Sequence, residues 1–236
     1  MSDPLITGQR DNALGQPVGL PVTLDIPRPP PPDTEIEGRY CRLAPLARNH
    51  ADDLFEAFAA DVDGRGWTYL SVGPFTDRDI YRDWVDQAAR STDPKHHAIL
   101  VDGTAVGHAG LMRVDPMAAT LEVGWVNLSP ALQRTRAATE FQFLLMARAF
   151  DELGYRRYEW KCDALNAPSR RAAARLGFTY EGTFRQATHY KGRNRDTAWF
   201  SILDSEWPGL KARFRRWLDP ANFDAAGQQR TALTEI

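Results

Sequence analysis

The segment from Ser129 to Gly182 constrains the fold more than any other, because the order of its elements is informative. A strand leads straight into a basic, amide-rich turn, and that turn opens an apolar helix. A second strand then leads into a second helix, whose end is marked by Gly177 and Phe178. A helix N-terminus offers unpaired N–H groups and a positive dipole end. Two such units side by side therefore predict a clamp for a long phosphorylated ligand.

Length, charge and cysteine content argue against several broad classes of protein. The 236 residues suffice for one large domain, or for one domain with extensions. A net charge of −2 argues against a general nucleic-acid binder, and the two cysteines form neither a metal pattern nor a disulfide framework. No apolar run approaches the roughly 20 residues that span a bilayer, and no signal segment opens the chain. We therefore expect a cytoplasmic protein that binds no nucleic acid, membrane or metal.

Three regions are expected along the chain. Residues 1–36 form a proline-rich arm with an extended, polyproline-like backbone. The arm is either a flexible leader or a segment laid over the globular body, since apolar residues alternate from Val18 to Ile26. Residues 37–218 form the folded domain, and residues 219–236 form a polar tail. A homodimer can form through the arm or the tail.

Turn signals and hydrophobic periodicity indicate a mixed order of strands and helices. The strands His97–Val101 and Ala105–Arg113 flank an Asp-Gly turn, and the strand Leu121–Leu128 follows them. Thr139–Leu153 and Ser169–Leu176 have helical spacing. This order, with hairpins in its first half, predicts a mixed α/β fold and not the regular alternation of a doubly wound sheet.

Over residues 37–205 the chain resembles the GNAT acyltransferases, and within them the ribosomal-protein N-terminal acetyltransferase (RimJ/RimL-like) group. The resemblance is carried by the order of four words: S-P-x-L-Q, A-A-T-E, N-A-P-S-R and L-G-F-x-x-E-G. It implies an α+β fold with a central, mostly antiparallel sheet of six to seven strands, which splays at the cofactor site and is flanked by helices. It also implies acetyl-CoA as the cosubstrate, without a metal.

The same resemblance indicates the residues that bind the cofactor. In the family, a Q/R-x-x-G-x-G/A turn binds the pyrophosphate through backbone N–H groups, and the matching positions with the next residue are Gln133, Arg134, Thr135, Arg136, Ala137, Ala138 and Thr139. The preceding strand runs beside the pantetheine arm, so the backbone of Val126 and Leu128 is expected to face it. Asn166, from the family's N-x-x-S, is expected to bind the pantetheine amides.

The turn departs from the family pattern at Arg136, which stands where the first glycine is usual. Ala138 fills the second glycine position. Glycine permits positive φ angles and close backbone approach, so the departure puts the geometry of the turn in question. Arg134 and Arg136 can compensate, because guanidinium groups pair well with phosphate oxygens. The alternative is a solvated basic turn.

Two residues are candidates for moving protons. A primary amine is largely protonated at neutral pH, so direct transfer needs a general base or a desolvating pocket. Glu122 is the candidate base, in a half-buried, aromatic-lined setting; the alternatives are an exposed glutamate and a salt bridge to a nearby arginine. Ser169 matches the serine of N-x-x-S and is expected to support the departing thiolate. The alternative for Ser169 is a helix cap.

The acceptor pocket is expected near an aromatic loop. Trp67, Tyr69 and Phe75 lie where the family shapes this pocket, and aromatic rings can bind an ammonium ion by cation–π contact. His108, on a predicted strand, is a further candidate, with a histidine in the core as the alternative.

The sequence therefore predicts an acetyl-CoA-dependent N-acetyltransferase that works in a ternary complex. Its acceptor is a primary amine, either on a small molecule or at a peptide N-terminus. A non-catalytic acyl-CoA sensor of the same fold is the alternative. The absence of G-x-x-x-x-G-K-[ST] and G-x-G-x-x-G argues against other nucleotide-binding classes.

Overall fold

The structure is a computed structural model that describes residue 6 and residues 8–236. Its strands are β1 (Gln9–Asp11), β2 (Pro17–Gly19), β3 (Ile36–Glu37), β4 (Arg42–Pro45), β5 (Lys95–Val101), β6 (Thr104–Asp115), β7 (Thr120–Leu128), β8 (Arg157–Asp163), β9 (Thr179–Tyr190) and β10 (Arg193–Leu203). Its α-helices are α1 (Ala51–Ala59), α2 (Arg78–Ala89), α3 (Arg136–Ala147), α4 (Ala167–Leu176) and α5 (Trp207–Trp217). A π-helical turn, Arg148–Glu152, continues α3.

Eight strands form one sheet in the spatial order β3-β4-β5-β6-β7-β8-β10-β9. Every neighbouring pair is antiparallel except β7 and β8, which are parallel. The α+β class and the mostly antiparallel sheet are therefore confirmed. The sheet has one strand more than the expected six to seven, because the two-residue β3 pairs with β4 at the boundary between arm and domain.

The helices cover the two faces of the sheet with two separate cores. Leu43 of β4 and Ile99 of β5 belong to the core that α3, α4 and α5 complete. The adjacent Ala44 and Ala98 belong to the core of α1 and α2. Successive side chains of a strand point to opposite faces, so the helices lie on opposite sides of the sheet. We call the two sides the α3 face and the α1–α2 face.

A buried glutamate attaches the beginning of the domain to α3. The carboxylate of Glu140 accepts hydrogen bonds from the backbone N–H groups of Arg39, Tyr40 and Cys41, at 2.9, 2.6 and 2.9 Å. Such charge-assisted bonds are stronger than those between neutral groups. Burial and the nearby Glu140 also raise the pKa of the Cys41 thiol. Glu140 therefore fixes the N-terminal half of α3 against the chain that enters β4.

The arm has two parts. Strands β1 and β2 form a separate hairpin, and all residues of the two strands are exposed. Beyond the hairpin the chain lies on the domain: the Arg28 N–H donates to the Pro116 carbonyl at 3.0 Å, and Arg148 Nη1 donates to the Thr34 carbonyl at 2.8 Å. The chain from Arg28 to Thr34 thus lies over the domain, whereas Val18, Leu20, Val22 and Ile26, on which that alternative rested, are exposed. Residues 1–5 and 7 of the predicted arm lie outside the described residues.

The predicted polar tail packs on the domain. Phe223 and Leu233 are buried in the core of the α3 face. The indole N–H of Trp217 donates to Gln229 Oε1 at 2.9 Å. These residues make 219–236 a part of the folded body. No helix in the described part of the chain is long and apolar enough to cross a membrane.

Candidate active site

The parallel strands β7 and β8 separate part-way along their length. They pair from Thr120–Arg157 to Val123–Trp160 and no further. Strand β7 nevertheless continues to Leu128 and β8 to Asp163. The backbone of β7 beyond Val123 therefore faces a gap where a neighbouring strand would otherwise lie.

A β-bulge shapes the β7 side of this gap. The pairing with β6 shifts register between Gly110–Gly124 and His108–Asn127. Within the shift, Trp125 adopts a left-handed backbone with φ of 52°. Bulges bend a strand and redirect its groups, and they are frequent beside active sites. The bulge therefore redirects the backbone next to Val126, where the sequence predicted contact with the cofactor.

The turn after β7 presents free N–H groups at the beginning of α3. Thr135 is the N-cap residue: its Oγ1 accepts from the Ala138 N–H at 3.1 Å and donates to the Leu132 carbonyl at 2.7 Å. Among the described residues, the N–H groups of Arg136 and Ala137 have no hydrogen-bond partner. A helix N-terminus with unpaired N–H groups can bind an anion.

The left-handed residue of the turn is Arg134, whose φ is 62°. Arg136, in contrast, is the first residue of α3. Arg136, which stands in place of the first glycine, therefore needs no left-handed backbone. The residue of this turn at which the lack of a glycine causes strain is Arg134. The Gln133 side chain lies back on the strand, where its Nε2 donates to the Leu128 carbonyl at 2.8 Å.

Three arginines of α3 and α4 contact aromatic rings and neutral oxygens. The Arg136 guanidinium lies 4.3 Å from the ring centre of Tyr40, and Arg175 Nη1 donates to Thr139 Oγ1 at 3.1 Å. Arg170 Nη1 donates to a backbone carbonyl at 3.1 Å. Because these partners carry no negative charge, the positive charge near the beginnings of both helices is available to an anionic ligand.

Helix α4 begins on the β8 side of the gap with the predicted N-x-x-S pair. Asn166 is the N-cap, and its Oδ1 accepts from the Ser169 N–H at 3.1 Å. The Ser169 hydroxyl accepts from the Trp160 indole N–H at 2.9 Å. Trp160 is the last β8 residue paired with β7, so Ser169 lies where the strands part. The cap is Asn166 and not Ser169, which leaves the serine hydroxyl proton available.

Glu122 lies on β7 in a group of ion pairs. Its side chain is 3% exposed and points to the α1–α2 face, because its neighbours Leu121 and Val123 belong to the other core. Arg113 Nη1 donates to both carboxylate oxygens at 2.8 Å, and Lys161 Nζ lies 2.9 Å from Oε2. The salt bridge to a nearby arginine, given above as an alternative for Glu122, is therefore present in the structure, and Lys161 is a second cation at the same carboxylate.

Comparison with known proteins identifies the family. Residues 41–179 match the family described as the acetyltransferase (GNAT) domain, which is more than half of the chain. The chain belongs to the GNAT acetyltransferases. Its acyltransferase class follows from this membership.

Relatives of known structure share most of the fold. A GCN5-related N-acetyltransferase from Brucella melitensis is 48% identical, with a TM-score of 0.87 over 89% of this chain and 96% of that one. A GNAT protein from Chromobacterium violaceum ATCC 12472 is 40% identical, with a TM-score of 0.71 over 88% and 97%. A Bacillus subtilis (strain 168) protein provisionally named ribosomal N-acetyltransferase YdaF is 28% identical over 61% of this chain and 80% of its own. The likeness to ribosomal-protein acetyltransferases is thus confirmed.

The acetyltransferase carries an aromatic cavity of about 380 Å³ beside α1 and α2. Trp67 and Phe75 line it, with Asp61 and Asp63. Tyr69 does not line this cavity. Its hydroxyl donates instead to the backbone carbonyl of Leu165, two residues after β8, at 3.2 Å. The structure thus brings together two of the four residues predicted for the acceptor pocket.

His108 lies inside the acetyltransferase core. It is fully buried, with its ring centre 5.3 Å from that of Trp84 and 5.9 Å from that of Phe58. Burial lowers the pKa of His108 to about 3, so the ring is neutral in the folded protein. Its assignment to the pocket surface is corrected, because the bulky residues of α1 and α2 cover it.

Contacts that the sequence did not predict join three segments beside the gap. Lys191, in the β9–β10 turn, donates to the Trp67 carbonyl at 2.7 Å. The Tyr190 hydroxyl donates to Asp163 Oδ2 at 2.8 Å. Burial and Asp163 together raise the pKa of Tyr190 to about 12, so the phenol keeps its proton. The charged residues 191–196 (K-G-R-N-R-D) were the sign of such contacts in the sequence, but they do not indicate which partners are contacted.

The described residues hold no group of three or more His, Cys, Asp or Glu side chains placed to bind a metal.

Proposed function

We propose that this acetyltransferase uses acetyl-CoA and transfers the acetyl group directly to a primary amine bound beside it. One observation carries the proposal: β7 and β8 part after Val123 and Trp160, and the N-termini of α3 and α4 flank the gap. The amide groups of a pantetheine arm can pair with the free edge of β7 as another strand would. The free N–H groups of Arg136 and Ala137 suit the diphosphate.

Different residues around the gap act in different steps of the transfer. The amine nitrogen bonds to the thioester carbonyl carbon, the C–S bond breaks, and the backbone between Val126 and Leu128 polarises the carbonyl. Glu122, directly or through a water, accepts the proton that the amine loses. The Ser169 hydroxyl donates a hydrogen bond to the departing thiolate. Asn166 contacts the pantetheine amides.

The acceptor class we propose is an amine on a protein or peptide. The name of the Bacillus subtilis relative refers to ribosomal N-acetylation. Asp61 at the aromatic cavity, unlike Asp63, which pairs with Arg65, attracts a cationic acceptor before it reaches the gap. A small-molecule amine is the second acceptor class.

The test combines cofactor binding with turnover. Calorimetry with acetyl-CoA is expected to show one site per chain. Thiol release from acetyl-CoA is then followed with a short peptide carrying a free N-terminus, the same peptide with a blocked N-terminus, a polyamine and n-propylamine. Release that depends on a free primary amine supports the proposal. Absence of acetyl-CoA binding contradicts the proposal, because the transfer requires bound acetyl-CoA.

The alternative of a non-catalytic acyl-CoA sensor has one observation in its favour, which is that two cations already occupy Glu122. Replacing Glu122 by Gln and Ser169 by Ala together separates the two functions. An enzyme loses turnover and keeps acetyl-CoA binding. A sensor has no turnover to lose.

A further inference from the structure

The two cations at Glu122 differ in how they are held. The Lys161 side chain is 8% exposed, lies 2.7 Å from Glu159 as well as 2.9 Å from Glu122, and places its ammonium 3.7 Å from the ring centre of Trp199. The Arg113 side chain is 57% exposed. Its hydrogen bonds to carboxylate oxygens, among the described residues, both go to Glu122. Lys161 is thus built into the sheet, whereas Arg113 reaches Glu122 from the solvent.

The charges along the sheet make Arg113 the balancing cation. A chain of contacts between 2.6 and 2.9 Å joins three carboxylates and two cations on β7, β8 and β9: Glu122, Lys161, Glu159, Arg157 and Glu181. Three negative charges against two positive charges leave one negative charge, which Arg113 neutralises. An uncompensated buried carboxylate is unfavourable, so the place beside Glu122 favours a cation.

The backbone lets the Arg113 side chain leave without disturbing the sheet. Arg113 lies in a bulge with φ of 47°. Its N–H donates to Asp93 Oδ1 at 2.8 Å, and the Val114 N–H donates to Asp93 Oδ2 at 3.4 Å. These bonds join backbone N–H groups of the bulge to Asp93 and do not involve the Arg113 side chain. Departure of the guanidinium therefore needs only rotation about side-chain bonds, and these are fast in exposed residues.

We infer that the acceptor's ammonium group binds in the place of the Arg113 guanidinium, and that Arg113 is displaced when the acceptor enters. The inference rests on the proposed transfer to a primary amine. An alkylammonium ion carries the same charge as the guanidinium in a smaller volume and offers three donors to the carboxylate. Glu122 immediately precedes Val123, the last β7 residue paired with β8, so the displaced position adjoins the gap. Arg113 then selects cationic acceptors, because a neutral molecule that displaces it cannot replace the positive charge beside Glu122.

The experiment measures binding of n-propylammonium chloride by calorimetry, with n-propanol as the neutral comparison. Arg113→Gln removes the competing charge and is expected to bind the ion about three- to tenfold more tightly than wild type. Arg113→Lys keeps a competing charge and should gain less. Arg90→Gln is the matched control, because Arg90 also pairs with a carboxylate, Asp86, but on α2. Unchanged or weaker binding in Arg113→Gln overturns the inference.

A second measurement uses the wild-type protein alone. The Arg113 Nε–H resonance is followed by NMR while n-propylammonium is added, and it is expected to move toward the position of a solvated arginine. An unmoved resonance, or the absence of ammonium binding, overturns the inference. Neither experiment involves acetyl-CoA. Failure of the amine panel with intact ammonium binding therefore contradicts the proposed function alone, and turnover without displacement of Arg113 contradicts this inference alone.

Discussion

At Ser169 the hydroxyl accepts a hydrogen bond from Trp160 and keeps its own proton for donation. We therefore expect Ser169→Ala to lower kcat by about 10- to 100-fold, because a donor to the leaving thiolate is lost. The dissociation constant of acetyl-CoA should change little. Steady-state kinetics and calorimetry measure the two effects. Ser205→Ala, at an exposed position, is the control, and equal losses of affinity and kcat would point to a structural role for Ser169.

Two arginines of the α3 turn should respond to glycine in opposite directions. Arg134 has a left-handed backbone, so Arg134→Gly relieves strain and should raise the free energy of unfolding by about 0.5–1 kcal/mol. Arg136 is helical and lies over the Tyr40 ring, so Arg136→Gly should lower it by about 1–2 kcal/mol. Urea denaturation measures both values. Changes of the same sign would contradict this assignment of the strained residue.

The carboxylate of Glu140 joins the first residues of the domain to helix α3. Glu140→Gln removes the charge that three backbone N–H groups share, and we expect a loss of about 1.5–3 kcal/mol of stability. The control is Glu56→Gln, which breaks an exposed ion pair with Arg78 and should cost less than about 1 kcal/mol. Chemical denaturation at neutral pH compares them. Similar losses would show that the three bonds add little.

The elements of the site were predictable from sequence where a local pattern specifies them. The strand-turn-helix order indicated where α3 and α4 begin, because caps and turns depend on residues a few positions apart, and the family resemblance supplied the splayed sheet and the candidates Asn166 and Ser169. The ion pair between Glu122 and Lys161 has no such signal. It depends on which strands become neighbours, and β7 meets β8 only in the folded sheet. The Arg113 contact also depends on a bulge that spacing does not reveal.

The aromatic loop shows the same limit at the acceptor side. Trp67, Tyr69 and Phe75 are close in sequence, yet Tyr69 contacts the chain after β8 while the other two line the cavity. Sequence proximity indicated a common location but not which way each ring points. His108 was misplaced for a related reason, since the alternation of a strand identifies two faces without saying which one is covered.

Four histidines are buried among the described residues, and burial lowers the pKa of each; the shifts of His96, His97 and His108 are the large ones, and they couple stability to pH. Burial lowers the pKa of His96 and His97 to about 4 and that of His108 to about 3. The unfolded chain, with values near 6.5, binds more protons as the pH falls. Stability is therefore complete above about pH 6.5 and declines toward about pH 4, by roughly 2 kcal/mol per histidine at about pH 5.

Urea denaturation at several pH values tests this dependence. His97→Gln removes one titrating group, so its stability should fall less steeply with acid than that of the wild type, whatever its value at neutral pH. His189→Gln, at an exposed position, should keep the wild-type slope. An unaltered slope in His97→Gln would assign the acid sensitivity to other groups.

The separation of the two cores has a consequence for how such proteins diversify. The residues proposed to grip acetyl-CoA lie at the beginnings of α3 and α4, whereas the aromatic cavity is formed largely by α1, α2 and their connection. Substitutions among residues 51–89 can therefore accumulate with little disturbance of the opposite core. A selection for new substrate preference in the laboratory should find most of its beneficial mutations there, and gene duplicates should diverge fastest in the same stretch.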